Sequence, residues 1–242
     1  MKHGLQFDLN YTFSKSIDEG SNAERINQFE GGGFSQIINS WSPKQARAVS
    51  DFDTRHQINT NWIYELPFGN GKAYGSGMNR WANAIVGGWQ FSGLLRWSSG
   101  LPFSIGPGLG FWATNWELTS NAVLSGARPK TGTFMVSGQP NVFADPTTAI
   151  QDFRFAFPGE SGQRNNLRGP GIFGLDTGLA KSWKITESQA LKFSWEVFNA
   201  TNSVRFDAVS ASGTLSNSSS FGNFIQTLSK KRVMQFALRY SF

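Results

Sequence analysis

Strict alternation of apolar and polar residues over the last eleven positions, 232–242, constrains the fold of this chain more than any other feature. A period of two over this length predicts a β-strand with one apolar and one polar face. Such a strand could belong to the sheet of a soluble sandwich. It also has the length of a barrel strand, which crosses a membrane with about 9–11 tilted residues. The apolar positions are Met234, Phe236, Leu238, Tyr240 and Phe242.

The same alternation recurs upstream and predicts five further strands, at about 5–13, 54–66, 88–98, 173–185 and 191–197. Residues 67–87 form a connector, whose centre at 79–86 could hold a short helical turn. Lys181 interrupts the apolar face of the fourth strand in chain order, at 173–185. Near the membrane edge, with its ammonium reaching toward water, it would cost about 0–1 kcal/mol. The aromatic residues that we expect to face lipid or to form an interfacial girdle are Phe7, Tyr11, Trp62, Tyr64, Trp89, Phe91, Trp183, Phe193 and Trp195.

Long polar segments rich in Gly, Ser and Asn separate these strands, at about 16–53, 106–168 and 199–229. The connections therefore run long, medium, long, short and long. An irregular stretch as long as 106–168 would count against the strand predictions in a compact soluble domain. In a transmembrane barrel, long loops lie outside the cell and short turns lie in the periplasm. The pattern thus favours an all-β, antiparallel transmembrane barrel segment of about six strands.

Composition agrees with that fold and argues against several functions. Charged residues make up 16% of the chain, below the roughly 25% of soluble domains, and no run of about 18 apolar residues predicts a transmembrane helix. Cysteine is absent, which leaves no disulfide framework and no thiolate metal site. The net charge is +6, but Lys and Arg are scattered rather than clustered, which argues against a nucleic-acid partner.

No catalytic constellation stands out, so we expect neither an enzyme nor a cofactor. The cluster Asp51, Asp53, Arg55 and His56 could be a metal or catalytic site, but His3 is the only other histidine. We interpret the cluster as a hydrogen-bonded rim where a loop enters a strand. In the longest loop, Trp112 and Trp116 are the candidates for ligand contact.

Seven stretches resemble, in the same order, the C-terminal barrel strands of TonB-dependent outer-membrane transporters, especially the Oar-like type. Any one of them is weakly specific, whereas seven in order are more so. Together they span nearly the whole chain. They are Leu9–Ser16, Ser50–His56, Tyr64–Gly69, Gly87–Gly93, Leu167–Gly171, Phe198–Asn202 and Leu238–Phe242.

The resemblance implies a barrel of about 22 strands that is plugged by an N-terminal domain and energised by the TonB complex of the inner membrane. Residues 1–242 would be the C-terminal part of that barrel, an open sheet if taken alone, with the plug and the signal peptide encoded elsewhere. The implied partners are outer-membrane lipid and lipopolysaccharide, the missing plug and strands of the same receptor, the TonB complex through that plug, and the barrel-assembly machinery. The assembly signal would be Phe236, Leu238, Tyr240 and Phe242.

Two other functions stay open at this point. A passive, porin-like channel would have a wall with the same physical properties. A secreted β-sandwich binding module would use the same alternation to bury its apolar face. For the porin-like channel and for the receptor alike, we expect location in the bacterial outer membrane.

Overall fold

The computed structural model describes residues 4–21, 39, 41–108, 120–208, 211 and 213–242. No helix in these ranges is long and apolar enough to cross a membrane. The helices are Arg80–Val86 and Pro146–Gln151, with 3-10 turns at Pro43–Ala46 and Ser218–Ser220. The strands are β1 (Leu5–Phe13), β2 (Ile17–Asp18), β3 (Ala48–Val49), β4 (His56–Glu65), β5 (Trp89–Ser98), β6 (Pro102–Phe103), β7 (Val123–Leu124), β8 (Thr131–Val136), β9 (Gln139–Phe143), β10 (Phe153–Arg154), β11 (Leu167–Arg168), β12 (Ile172–Lys184), β13 (Ala190–Phe198) and β14 (Val233–Ser241).

The dominant element is a six-stranded antiparallel sheet, which we call the wall, with the order β1-β4-β5-β12-β13-β14. These are the six strands that the alternation predicts. Each strand pairs with its neighbours along the wall, so the connections 14–55, 99–171 and 199–232 lie at one end and 66–88 and 185–189 at the other. Within the described residues β1 and β14 each pair on one side only, and the sheet is open.

Cross-strand register decides which side chains share a face, because directly paired residues point to the same side. Phe7 pairs with Trp62, and Tyr64 pairs with Phe91. Leu179 pairs with both Phe91 and Trp195. These pairings continue across all six strands and place the predicted apolar residues on one face, which we call the aromatic face. The polar face holds the intervening residues. Its larger apolar exceptions are Ile63, Leu94, Ile172, Phe198 and Val233.

The buried hydrophobic core lies outside the wall, in the second and third long connections, 99–171 and 199–232. We call the described parts of all three long connections the loop assembly. No wall residue belongs to this core. The sequence predicted these segments to be irregular, with a possible strand near 133–136, and the structure corrects this by packing them together. The core residues are Phe103, Ile105, Ala122, Val142, Phe143, Ala149, Phe153, Leu167, Ala208, Phe221 and Phe224.

Local chemistry explains two of the smaller elements. Strands β8 and β9 form a hairpin whose two turn residues, Ser137 and Gly138, both have positive φ, at 49° and 80°, as a type I′ turn requires. The Arg80–Val86 helix, which we call the connector helix, begins at Asn79, whose side chain accepts a hydrogen bond from the amide of Ala82 at 2.8 Å. An asparagine at this position satisfies an amide that has no partner within the helix. The helical turn predicted at 79–86 is confirmed.

The architecture differs from that of a sandwich. The other sheets in the described ranges have two strands each, and none could cover either face of the wall. Within the described residues, therefore, the chain does not form a sandwich of two packed sheets.

Candidate functional site

The aromatic face is built from rings that contact one another across strands. Trp195 stacks on Phe236 with ring centroids 5.8 Å apart, and Trp89 meets Phe193 edge-on at 6.2 Å. Trp62 lies over Gly93, where a Cβ atom would collide with the indole ring. All nine predicted lipid-facing or girdle residues belong to this face, namely Phe7, Tyr11, Trp62, Tyr64, Trp89, Phe91, Trp183, Phe193 and Trp195.

The apolar side chains of the edge strands β1 and β14 are exposed, and the aromatic side chains of the four inner strands are half-buried beside one another. Phe7 is 67% exposed, Phe236 is 65% exposed and Leu238 is 67% exposed. A continuous apolar surface of this kind is rare on a soluble monomer and marks a site that contacts protein or membrane.

The polar face has the chemistry of a surface in contact with water. Arg96 pairs with Asp176 at 3.2 Å, and a second oxygen of that carboxylate accepts a hydrogen bond from the amide of Asn199 at 2.8 Å. Near the opposite end, Lys72 pairs with Glu65 at 2.8 Å. A cleft of about 320 Å³ opens beside this pair and includes Lys192 in its lining.

Lys181 does not extend toward water as predicted. It is only 3% exposed, and its ammonium donates hydrogen bonds to the carbonyl oxygens of Ile85, at 3.2 Å, and Gly87. The same Nζ lies 5.4 Å from the ring centroids of both Trp89 and Trp183. The charge is tolerated because the connector helix supplies acceptors and the indoles supply cation–π contacts.

The predicted assembly signal lies on β14 and just beyond it. Phe236, Leu238 and Tyr240 belong to the aromatic face. Phe242 is 92% exposed, and its ring lies 5.8 Å from that of Tyr240. The role of these residues in assembly stays a prediction.

The loop assembly is joined by aromatic contacts between segments that are distant in sequence. Phe143 stacks on Phe221 with centroids 5.2 Å apart and planes at 6°, while the amide of Val142 donates to the carbonyl oxygen of Gly222 at 2.8 Å. The described parts of the second and third long connections therefore pack as one unit. The Phe residues within these polar stretches indicate that a local core exists, but not which of them contact one another.

Arg164 ties the first long connection to the second. Its guanidinium pairs with Asp18 and, at 3.0 Å, with Asp51, and its Nε donates to the carbonyl oxygen of Ala46 at 3.1 Å. The side chain is 6% exposed. Arginine suits this position because its planar group offers several donors in fixed directions. Arg164 is not among the candidate residues predicted from the sequence, because nothing in a local pattern marks a partner more than a hundred positions away.

The charge of Asp18 is stabilised in this cluster. Partial burial opposes ionisation of its carboxyl group, but hydrogen bonds from Ser50, Arg164 and Ser21, together with the positive charge of the guanidinium, outweigh it and lower the pKa. Asp18 therefore remains an acceptor for Arg164 at neutral pH.

The predicted rim is confirmed as a hydrogen-bonded cluster at the entrance to β4. Arg168 pairs with Asp53 and also donates to the carbonyl oxygen of Gly100 at 3.1 Å. The His56 ring lies beside Tyr11, whose hydroxyl is 2.9 Å from Nδ1. Within the ranges that the structure describes, no group of acidic or histidine side chains could hold a metal ion.

A separate ion pair stabilises the segment after β10. Both guanidinium nitrogens of Arg154 contact Glu160, at 2.8 and 3.1 Å, and the amide of Phe157 donates to the same carboxylate at 2.8 Å. The paired arginine, followed by this amide, lowers the pKa of Glu160 from 4.5 to about 2.

A cleft of about 580 Å³ lies in the third long connection. Its lining includes the amides of Asn199 and Asn202 and the cations Lys230, Lys231 and Arg232. These groups suit a polar or anionic molecule better than an apolar one. The predicted ligand contacts Trp112 and Trp116 lie outside the described residues.

An antiparallel sheet with an aromatic face, a polar face and all its long connections at one end defines the wall of a transmembrane β-barrel. The sequence comparison agrees: the family model described as outer membrane beta barrel domain matches residues 1–235. This chain belongs to that family, and it is located in the bacterial outer membrane. No curated protein sequence and no solved structure matches the chain.

Proposed function

We propose that this chain is the C-terminal part of a TonB-dependent outer-membrane receptor of the Oar-like type. Its wall would separate lipid from a polar lumen, and its loop assembly would contribute to capture of the ligand. The seven motifs that occur in family order favour this receptor class. Ligand capture outside the cell and release of the plug by the TonB complex are what the resemblance implies for the complete protein.

The open sheet is the observation on which the proposal depends most. Each unpaired backbone group at the free sides of β1 and β14 would cost several kcal/mol in hydrocarbon. The described wall has six strands, whereas the smallest bacterial single-chain barrels have about eight. We infer that further strands of the same protein pair with both edges.

The loop assembly supports a receptor function because its parts hold one another in place. The Phe143–Phe221 stack and the Arg164 cluster join connections that start from different strands. A binding surface made from such loops loses little conformational entropy when ligand binds, which favours affinity.

A conductance measurement separates the receptor from a passive channel without knowledge of the ligand. The purified full-length protein is inserted into planar bilayers, and the ion current is recorded. For a plugged receptor we expect no steady open-channel current, together with binding of the purified periplasmic domain of TonB. A steady current without TonB binding would favour the porin-like channel and refute the receptor.

A further inference from the structure

The connector helix, Arg80–Val86, exposes its apolar side chains. Trp81 and Ile85, which are four positions apart and therefore on the same helix face, are 80% and 72% exposed. Asn83 instead contacts the protein, with its side-chain oxygen accepting a hydrogen bond from the amide of Asn70 at 2.7 Å. A helix on a water-facing surface has the opposite arrangement, with polar residues outward. The exposed side therefore suits an apolar or interfacial environment.

The C-terminal end of this helix is held against the aromatic face. Trp183 Nε1 donates to the carbonyl oxygen of Ala84 at 2.7 Å, and Trp89 Nε1 donates to that of Ile85 at 2.8 Å. Lys181 donates to the carbonyl oxygens of Ile85 and Gly87. The last carbonyls of a helix have no partners within the helix, so donors from the aromatic face satisfy them and fix the position of the helix.

The exposed helix face continues the surface that meets lipid. The connector helix lies at the end of the wall that has the short turn 185–189, which is the periplasmic end of an outer-membrane barrel. The leaflet on that side consists of phospholipid. Tryptophan is enriched where protein crosses from hydrocarbon to headgroups, and short amphipathic helices lie in that plane. Arg80, also exposed, is positioned to attract a phosphate group.

We propose that the connector helix is an interfacial anchor that binds the inner leaflet of the outer membrane. Trp81 and Ile85 insert at the boundary between phospholipid headgroups and acyl chains, while Lys181, Trp89 and Trp183 hold the helix to the wall. This anchor fixes the depth of the wall at its periplasmic end. The inference holds for a receptor and for a passive channel alike, since it depends on the wall and its orientation only.

Nitroxide labels test this directly, because this chain contains no cysteine. Any cysteine elsewhere in the full-length protein is first replaced by serine, so that single cysteines can be introduced without background. The full-length variants Trp81→Cys and Ile85→Cys are labelled and reconstituted into vesicles of phosphatidylethanolamine and phosphatidylglycerol. Collisions with oxygen, which concentrates in lipid, are compared with collisions with a water-soluble nickel chelate. Glu187→Cys, in the exposed turn at the same end of the wall, is the matched control.

We expect the ratio of oxygen to nickel collisions to be several-fold higher at 81 and at 85 than at 187. A ratio at 81 and 85 equal to that at 187 would mean that the helix faces water and would overturn the proposal. Labels protected from both oxygen and nickel would mean that protein covers the helix, which would overturn it as well. Each variant changes one of the two positions and keeps the native side chain at the other, so each variant is a sufficient test by itself.

Discussion

Replacing Leu179 by arginine tests whether the aromatic face contacts lipid. Leu179 lies near the middle of β12 and pairs with Phe91 and Trp195. An arginine facing lipid at the bilayer midplane costs about 2–4 kcal/mol. At 1.36 kcal/mol for each factor of ten, the folding equilibrium constant should fall roughly 30- to 900-fold. Leu179 is a better site than Phe193 because Phe193 pairs with Lys181. An arginine at 193 would add repulsion between two positive charges to the cost of placing a charge in lipid.

The adjacent residue provides a matched control. Ala180 lies one position further along β12, on the polar face, and pairs with Gln90 and Ser194. The Ala180→Arg variant adds the same charge at nearly the same depth, where it can reach water, and should cost about 1 kcal/mol or less. The Leu179→Ala variant measures the loss of packing alone and should lie between the two.

Equilibrium unfolding in urea measures these differences. The full-length variants are folded into phospholipid vesicles, the intrinsic tryptophan fluorescence is followed, and the free energy of unfolding is obtained by linear extrapolation. Equal losses for Leu179→Arg and Ala180→Arg, or a greater loss at 180, would refute a lipid-facing role for the aromatic face.

Three other substitutions test separate parts of the structure. Deleting Phe242, which is 92% exposed, should lower the amount of protein at the cell surface without changing the unfolding of protein that has already inserted; normal surface levels would exclude an assembly role. Because Glu160 has its pKa lowered to about 2, its stabilising effect should be present above about pH 4.5 and should disappear as pH falls toward 2. Limited proteolysis within 154–160 should therefore become faster over that range in the native protein. Glu160→Gln should reduce this dependence and leave the part due to other carboxylates such as Asp18; an unchanged pH dependence in the variant would contradict the assignment. Arg164→Met leaves two partly buried carboxylates without their cation and should cost about 2–3 kcal/mol, less than the loss of a fully buried partner. Proteolysis of the first long connection should accelerate, and an equal effect of Met at the exposed Arg128 would contradict the role of the cluster.

The wall could be predicted from the sequence because its information is local. A period of two identifies each strand, and the face of each side chain follows from the position of its neighbours along the same strand. The apolar residues of all strands were expected to share one face of the sheet, and the observed pairing of Phe7 with Trp62 confirms this. The connector helix was also accessible, since Asn79 begins a short run free of Gly and Pro.

The environment of Lys181 and the packing of the loops could not be predicted in the same way. The partners of Lys181 are backbone carbonyls of residues 85 and 87, and any sequence offers carbonyls at every position. Phe143 and Phe221 stack across a separation of 78 residues by their numbering, with no periodicity to connect them. In both cases tertiary contact between distant segments decides the outcome, and a single sequence holds no direct trace of it.

The division of hydrophobic residues between wall and loops has a consequence for how the protein is stabilised. The loop assembly buries its own core, whereas the aromatic face of the wall is exposed on the edge strands and has half-buried aromatic side chains on the inner strands. Burial of the loop core is driven by water, and the aromatic face needs lipid in place of a protein partner. Substitutions at Val142 or Phe143 should therefore weaken the loops in detergent and in bilayers alike, while substitutions on the aromatic face should respond to the lipid that surrounds it. Hydrophobic residues thus serve two purposes in this chain. The location of such a residue in the fold, rather than its hydrophobicity, decides whether it is stabilised by exclusion from water or by contact with lipid.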